Sequence, residues 1–468
     1  MSTPDDSPTL EQSMRIITVA GCLAMVYYTC ISCPVVTDFC RELGASELQF
    51  GLLAGLPMIL LVMQFVGAYL TDRVPRRKPY FMVLEISARL VWIPAAFLPL
   101  LFPRIPDSVL ILVFLGAVVV NGALSNVDTP LWFSWISDLV PRRILNRYWG
   151  QRQQYMTLVW TLAFLAVVAM TWLAKSLSAR QMLPILVSVG CVAGVADILL
   201  FTWVREPPNL MNPDSHPLQV LLAPLLHREY RTLVLFSCAF SAAALLGAGF
   251  MQIYVLDVLK IPVWKTTLIW CTAGLGAATT APVFGRIADR HGHRPVLLLC
   301  MLFKPMIAAV FLFVTAGNAF VVLSIAFFLD SMLNGGYMIA VNGYMLKMAP
   351  RMSRSMFIAA LTALSGIAGG LGAILGGLIL REYRDFSACV FGMNWCNYHV
   401  VFLLSFILRA LCIPLAAAVR EPTSSGTLVV LNALVGQWPM RLIVFPVGLY
   451  RRFLSAEEQE ENEPTGRD

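Results

Sequence analysis

Residues 285–295 read GRIADRHGHRP, and residues 67–78, in the first half of the chain, read GAYLTDRVPRRK. The pair Asp72-Arg73 therefore recurs as Asp289-Arg290, each time in a short basic loop between apolar segments. An equivalent signal at equivalent positions in both halves indicates an internal repeat. We expect a chain of two structurally related halves.

The composition excludes a soluble protein. Of the 468 residues, 58% are hydrophobic and 13% are charged, and the mean hydropathy is +0.73, whereas about 25% of the residues of a soluble domain are charged. Disordered tails, nucleic-acid binders and disulfide scaffolds are excluded on the same grounds. The predicted fold class is an all-α polytopic membrane protein.

Twelve apolar segments are long enough to cross a bilayer, which takes about 20 residues. They form two groups of six, separated by a polar stretch. We number them in chain order as spans 1 to 12, and they cover residues 14–38, 47–71, 79–102, 108–136, 149–174, 182–204, 232–256, 263–288, 295–316, 318–348, 355–380 and 398–419. The predicted organisation is an N-terminal segment (1–13), a first bundle (14–204), a central loop (205–231), a second bundle (232–419) and a tail (420–468).

Most basic loop residues lie in alternate connections, on the same side as the central loop. The positive-inside rule then places the N-terminal segment, the central loop and the tail in the cytoplasm, with the spans in the cell (inner or plasma) membrane. The first fifteen residues lack the basic region of a secretory signal, so we expect no cleavage there.

Two segments each allow two structural interpretations. Residues 428–454 are apolar but broken by Pro439, with Trp438 and Arg441 beside it. We predict an interfacial amphipathic helix there, with a thirteenth span as the alternative. Cys389 and Cys396 share a polar loop and either form a disulfide or stay free.

The two loops quoted first resemble the major facilitator superfamily, whose signature there is Gly-x-x-x-Asp-Arg-x-Gly-x-Arg/Lys. The second copy matches this signature throughout, whereas in the first copy Ala68 and Pro75 stand where the glycines belong. The resemblance implies that fold, with 12 transmembrane helices in two pseudo-symmetric six-helix bundles, and spans 1, 4, 7 and 10 lining a central cavity.

The resemblance also implies a conformational latch, in which the loop aspartates bond across the bundle interface when the carrier faces outward. Its candidate residues here are Asp72, Arg73, Arg76, Arg77, Gly285, Asp289, Arg290 and Arg294. The alternative is that these charges only set the topology.

Ionisable groups at membrane depth cost about 2.5–3.5 kcal/mol each on insertion scales, so each needs a partner or a water-filled cavity. The candidates for substrate or proton binding on the cavity-lining spans are Asp38, Asn121, Asn126, Asp128, Gln252, Tyr254, Asp330 and Asn334. Asp330 is the preferred proton site, because it falls near the midplane and Asn334 follows at i+4 on the same helix face. A structural, hydrogen-bonded aspartate is the alternative.

Charges on the other spans are predicted to be structural. Glu85 and Arg89 on span 3 are spaced i,i+4 and can neutralise each other. Asp197, Lys304 and Arg409 are interpreted as packing or snorkelling charges.

The predicted function is secondary active transport of a small organic solute by alternating access, coupled to protons. Sodium coupling and facilitated diffusion are alternatives, as are a transport-inactive sensor or scaffold and an integral membrane enzyme. No Walker sequence is present, and the five histidines lie in loops or at helix edges without a His-Glu-x-x-His motif. We therefore predict no enzymatic activity, no cofactor, no metal and no nucleic-acid partner, with a small molecule, membrane lipid and protons as the partners of a monomer.

Overall fold

The computed structural model describes residues 9–141, 145–174, 176–209, 228–348, 354–390 and 393–419. Within these ranges the chain is almost entirely helical, and eleven helices are long and apolar enough to cross a membrane. This confirms the predicted polytopic class. Most of the central loop (210–227) and the whole tail (420–468), with the segment 428–454, lie outside the described residues.

A helical segment stands at each of the twelve predicted positions, and several spans consist of two pieces. The bounds are Leu10–Ser32 and Pro34–Glu42 for span 1; Glu47–Ile59, a 3-10 turn Leu60–Met63 and Gln64–Thr71 for span 2; Lys78–Leu90 and Trp92–Leu101 for span 3; Asp107–Leu139 for span 4; Leu145–Leu173 for span 5; Ala179–Leu200 with a 3-10 turn Phe201–Trp203 for span 6; Arg228–Asp257 for span 7; Val263–His291 for span 8; His293–Phe303 and Met306–Val310 for span 9; Ala319–Met348 for span 10; Arg354–Glu382 for span 11; and Asn397–Ala418 for span 12.

Local sequence explains where several helices begin and end. Thr9 with Gln12, and Ser46 with Gln49, form capping boxes at the starts of spans 1 and 2. Gly292, with φ at 89°, separates spans 8 and 9, and this left-handed conformation favours glycine. The second glycine of the GRIADRHGHRP loop therefore lets the chain reverse between two helices.

Two short strands join spans 11 and 12. β1 (Ser387–Val390) and β2 (Met393–Cys396) pair antiparallel, with Ser387 opposite Cys396 and Cys389 opposite Asn394. Because of this register, Cys389 and Cys396 do not face each other, and both thiols are free. Burial raises the pKa of the Cys396 thiol. We call this end of the molecule the hairpin end and the opposite end, which carries residues 72–77 and Gly292, the basic end.

The two bundles pack together at the hairpin end. One continuous hydrophobic core there contains Phe39 and Phe114 of the first bundle with Phe250, Phe311 and Phe402 of the second. Towards the basic end the core divides into one cluster in the first bundle, including Trp135, and another in the second, including Tyr344. Apart from a small cluster of Phe65, Ala360 and Ala363, the described cores of the two bundles are separate at that end.

Candidate functional site

A group of charged side chains is buried inside the first bundle. Arg89 of span 3 forms an ion pair with Glu85, and its Nη2 donates a hydrogen bond of 2.9 Å to Asp197 Oδ2 of span 6. All three side chains are buried. The predicted Glu85–Arg89 pair is thus present, and Asp197, interpreted from sequence as a packing charge, is a second partner of the same guanidinium.

Asp128 of span 4 adds a third carboxylate to this group. It is 3% exposed, and its Oδ1 accepts no hydrogen bond from the described residues. Asp128 and Glu85 border the same cavity. It has a volume of about 190 Å³, and its other lining side chains include Tyr28, Trp132, Phe133 and Arg152.

The second bundle contains a smaller polar group around Lys304. The Nζ atom of Lys304 lies 3.6 Å from Asp330 Oδ1 and donates a hydrogen bond of 3.2 Å to Asn334 Oδ1. It also faces the rings of Phe240 and Tyr337, at 5.8 and 5.6 Å from their centres. Lys304 is only 6% exposed, so Asp330 is the counter-ion of a lysine that sequence analysis treated as a packing charge.

A second cavity, of about 320 Å³, lies between the two bundles. Its lining comes from spans 1 and 5 of the first bundle and spans 8 and 10 of the second: Met25, Gln153, Thr157, Trp160, Ala273, Gly274 and Ser331. Ser331 follows Asp330 directly in the chain. The structure therefore combines an opening between two six-helix bundles with buried charges in each bundle.

Comparison with known proteins decides the family. The family model of the Major Facilitator Superfamily matches residues 17–279 and 264–433, which together cover most of the chain. The chain belongs to the Major Facilitator Superfamily. It is accordingly an integral membrane protein of a family of secondary transporters, as predicted.

Solved structures with this fold agree with the assignment. A point mutant of the nucleoside transporter NupG has a TM-score of 0.69 at 13% identity and covers 87% of this chain and 100% of its own. A D-xylose–proton symporter scores 0.66 at 15% identity, covering 88% and 98%. A bacterial homologue of the human lysosomal transporter Spinster, in an inward-facing form, scores 0.61 at 17% identity, covering 94% and 100%. At these identities the likeness concerns the fold alone.

One curated relative matches over a shorter stretch of the chain. MdtD of Enterobacter sp. (strain 638), named for a proposed role in multidrug resistance, is 24% identical over 247 residues, which are 52% of this chain and 50% of MdtD. The chain thus matches only about half the length of this relative.

Ion pairs join the bundles of this superfamily member at the hairpin end. Arg41 Nη1 lies 3.8 Å from Asp257 Oδ1, and Arg384 Nε lies 3.8 Å from Glu47 Oε1. Each pair links a residue of the first bundle to one of the second. Sequence reasoning missed both pairs, since their members are far apart in the chain.

The loop after span 2 is held within its own bundle. Arg77 is fully buried, and its Nη1 donates hydrogen bonds of 2.6 Å to Asp138 and 2.8 Å to Ser134 on span 4. Glu206 accepts hydrogen bonds from the backbone N–H groups of Arg77 and Lys78. Arg77, a candidate latch residue, therefore ties spans 3, 4 and 6 of the first bundle together.

The other latch candidates lie on the surface of the basic end. Arg73 lies over the Tyr69 ring at 3.7 Å, and the carboxylate of Asp72 forms no ion pair with any described residue. In the second bundle, Arg294 Nη2 donates a hydrogen bond of 3.0 Å to the Ala417 carbonyl. Arg76 and Arg290 are exposed, Gly285 has open space where a Cβ would stand, and the side chain of Asp289 lies outside the described residues.

The remaining polar candidates on span 4 contact neighbouring spans. The Asn121 amide donates hydrogen bonds of 2.9 Å to the Tyr27 hydroxyl and to the Ala88 carbonyl. Asn126 accepts a hydrogen bond of 3.2 Å from Gln64 on span 2. Both side chains thus hold span 4 against its neighbours in the first bundle.

The candidates on spans 1 and 7 lie apart from the Lys304 group. Asp38 forms an ion pair of 2.7 Å with Arg41 at the hairpin end. Tyr254 is buried in the continuous core at the hairpin end, where its hydroxyl shares a hydrogen bond of 3.2 Å with His399 Nε2. Gln252 is half-buried, and its buried Nε2 has no hydrogen-bond partner among the described residues. Of the predicted site residues, the structure brings Asp330 and Asn334 together around Lys304.

Proposed function

We propose that the chain is a monomeric, proton-coupled transporter that carries a small organic solute across the cell membrane by alternating access, without enzymatic activity. The observation that carries the proposal is the ion pair of the buried Lys304 with the half-buried Asp330, in the second bundle next to the cavity between the bundles. A carboxylate that exchanges protons at membrane depth can couple solute movement to the proton gradient.

The chemistry of the pair suits such coupling. When Asp330 is ionised it attracts Lys304 across 3.6 Å, and when it takes up a proton this attraction is lost. Lys304 then keeps only its hydrogen bond to Asn334 and its contacts with two aromatic rings. Protonation therefore changes the contact between spans 9 and 10. Each proton that crosses the membrane down a potential of 100 mV supplies about 2.3 kcal/mol.

The orientation of the proposed transporter follows from its loops. Arg73, Arg76 and Arg77 lie at the basic end, and the positive-inside rule favours the cytoplasm for such a loop. With that orientation, the termini are cytoplasmic. The described conformation, joined at the hairpin end and divided at the basic end, is then the inward-facing one.

The experiment uses purified protein in proteoliposomes. Sugars, carboxylates, amino acids, nucleosides and organic cations are first screened by thermal shift, and any hit is tested for uptake with and without a pH gradient. We expect Asp330→Asn to abolish gradient-driven accumulation but to retain counterflow, the exchange of labelled for unlabelled solute at equal pH, because exchange needs no net proton movement.

The matched control is Asp107→Asn, which removes an exposed carboxylate that pairs with Arg180 at the hairpin end. This variant should accumulate solute as the wild type does. Undiminished accumulation by Asp330→Asn would refute the coupling role. A hit that binds but is never carried across would favour a sensor with this fold.

A further inference from the structure

The cavity of about 190 Å³ inside the first bundle has a composition unlike that of the Lys304 group. Its lining combines three carboxylates with aromatic and methionine side chains. We propose that this cavity binds a monovalent organic cation, with Asp128 as its counter-ion. The inference rests on the proposed transport function and names the substrate class for it.

The charges of the cavity favour a cation. Glu85, Asp128 and Asp197 face two guanidinium groups, those of Arg89 and Arg152, so the lining has one negative charge in excess when all five groups are ionised. Arg89 is occupied by Glu85 and Asp197. No basic side chain in the described part of the chain, that of Arg152 included, forms an ion pair with Asp128, and a buried carboxylate needs such a partner.

The position of Asp128 indicates where the charged group of the cation binds. Its side chain borders the cavity, it is 3% exposed, and its Oδ1 accepts no hydrogen bond from the part of the chain that the structure describes. An unsatisfied buried acceptor is costly, whereas a ligand that supplies a positive charge removes that cost. An ammonium group beside Oδ1 would do so.

The walls of the cavity suit the rest of such a molecule. Tyr28, Trp132 and Phe133 present aromatic faces, and Met25 and Met156 add adaptable apolar surface. The guanidinium of Arg152 already lies 5.2 Å from the centre of the Trp132 ring. This ring thus accepts a cation against its face, as aromatic rings do for quaternary ammonium ligands.

A proton occupies the site when the cation is absent. Asp128 and Glu85 border the same small cavity, and two carboxylates that share a site favour a proton on one of them because their like charges repel. The other ionisable groups facing Asp128 are Arg89 on span 3, Arg152 on span 5, Asp197 on span 6 and Tyr28 on span 1. Span 2 packs on span 4 at Gly67 but contributes no titratable group to the described lining. Binding of the cation therefore releases this proton to the solvent.

The test is direct binding of benzyltrimethylammonium to the purified full-length chain in detergent, measured by isothermal titration calorimetry. This probe carries one aromatic ring and a positive charge that is independent of pH. Benzyl alcohol and benzoate serve as the neutral and anionic comparisons, and we expect neither to bind. We expect Asp128→Asn to weaken binding of the cation by at least about tenfold, since it removes the counter-ion.

The matched control is Asp107→Asn, the same substitution on the same span but at the hairpin end, where Asp107 pairs with Arg180. Its affinity for the probe should equal that of the wild type. Trp132→Leu supplies a second variant that removes an aromatic wall and keeps all charges, and we expect it too to weaken binding. Absence of binding by the wild type, or equal binding by Asp128→Asn, would overturn the proposal.

The pH dependence of wild-type binding needs no variant. If the cation displaces one proton, affinity rises with pH by up to about tenfold per unit while the carboxyl pair holds its proton. Titrations in two buffers of different ionisation enthalpy would show release of one proton for each cation bound. Affinity that does not change with pH would contradict the displacement.

Failure of this inference is distinguishable from failure of the proposed function. Binding in detergent requires neither a proton gradient nor uptake. A chain that binds the cation but accumulates nothing refutes the transport proposal alone. A chain that accumulates another solute and ignores the cation refutes only the substrate class.

Discussion

At the scale of the residue, the buried charges of the first bundle depend on Arg89. One guanidinium forms ion pairs with both Glu85 and Asp197, which lie on different spans. Removal of one member of a buried ion pair costs about 3–5 kcal/mol, because the partner is left buried and uncompensated. In this bundle two partners would be left.

We therefore predict that Arg89→Met lowers the thermal unfolding temperature of the purified protein by several degrees. The matched control is Arg15→Met, whose ion pair with Glu11 is exposed and is worth at most about 1 kcal/mol. Differential scanning fluorimetry in detergent checks both variants. Equal unfolding temperatures for the two would show that the buried group is not structural.

Sequence could predict part of this residue chemistry. The i,i+4 spacing identifies Glu85 and Arg89 as a pair, but Asp197 and Asp128 join them only through the packing of spans 3, 4 and 6. The same limit applies to Lys304, which meets Asp330 from another span. The position of a charged residue in the middle of an apolar span identifies it as a candidate for a buried ion pair. Its partner depends on tertiary contacts, which the sequence does not show.

At the scale of the element, the contact of spans 2 and 11 holds the bundles together at the hairpin end. A Cβ atom on Gly55 would lie 2.6 Å from the Gly370 carbonyl oxygen, and one on Gly51 would lie 2.8 Å from the Ala373 carbonyl oxygen. Small residues permit this approach of two helix backbones. The packing leaves no room for a larger side chain without movement of a helix.

We predict that Gly55→Val slows solute exchange in proteoliposomes and destabilises the protein by about 1–3 kcal/mol, as overpacking typically does. Gly116→Val is the matched control, since a Cβ on Gly116 of span 4 meets nothing within 4 Å. Counterflow and thermal unfolding are the measurements. Wild-type behaviour of Gly55→Val would mean that spans 2 and 11 are less tightly packed than described.

Hydropathy predicted the positions of all twelve spans, but not their interruptions or the hairpin. Span 1 is broken at Cys33 before Pro34, and span 2 contains the 3-10 turn Leu60–Met63. Both interruptions lie inside continuous apolar runs, which a count of apolar residues cannot divide. The strands β1 and β2 are four residues each, too short for a pattern of alternation to stand out.

At the scale of the whole molecule, the repeat of the Asp-Arg loops predicted two halves, and the structure contains two bundles. Which end is closed could not be predicted from the sequence, because it depends on contacts between residues far apart in the chain, such as Arg41 with Asp257. The fused core at the hairpin end and the divided cores at the basic end describe one state of an alternating-access cycle.

The central claim, alternating access, is tested most directly by distances between the bundles at both ends. Cys389→Ser first removes the exposed native thiol. Spin labels are then placed at Arg104 and Gly317 for the hairpin end and at Ser137 and Arg290 for the basic end. All four positions are exposed. Double electron–electron resonance in nanodiscs is recorded at acidic and alkaline pH, with and without benzyltrimethylammonium. Between these conditions we predict opposite changes at the two ends: wherever the distance at the hairpin end lengthens, the distance at the basic end shortens. If the hairpin-end distance and the basic-end distance both stay the same under all these conditions, alternating access is contradicted.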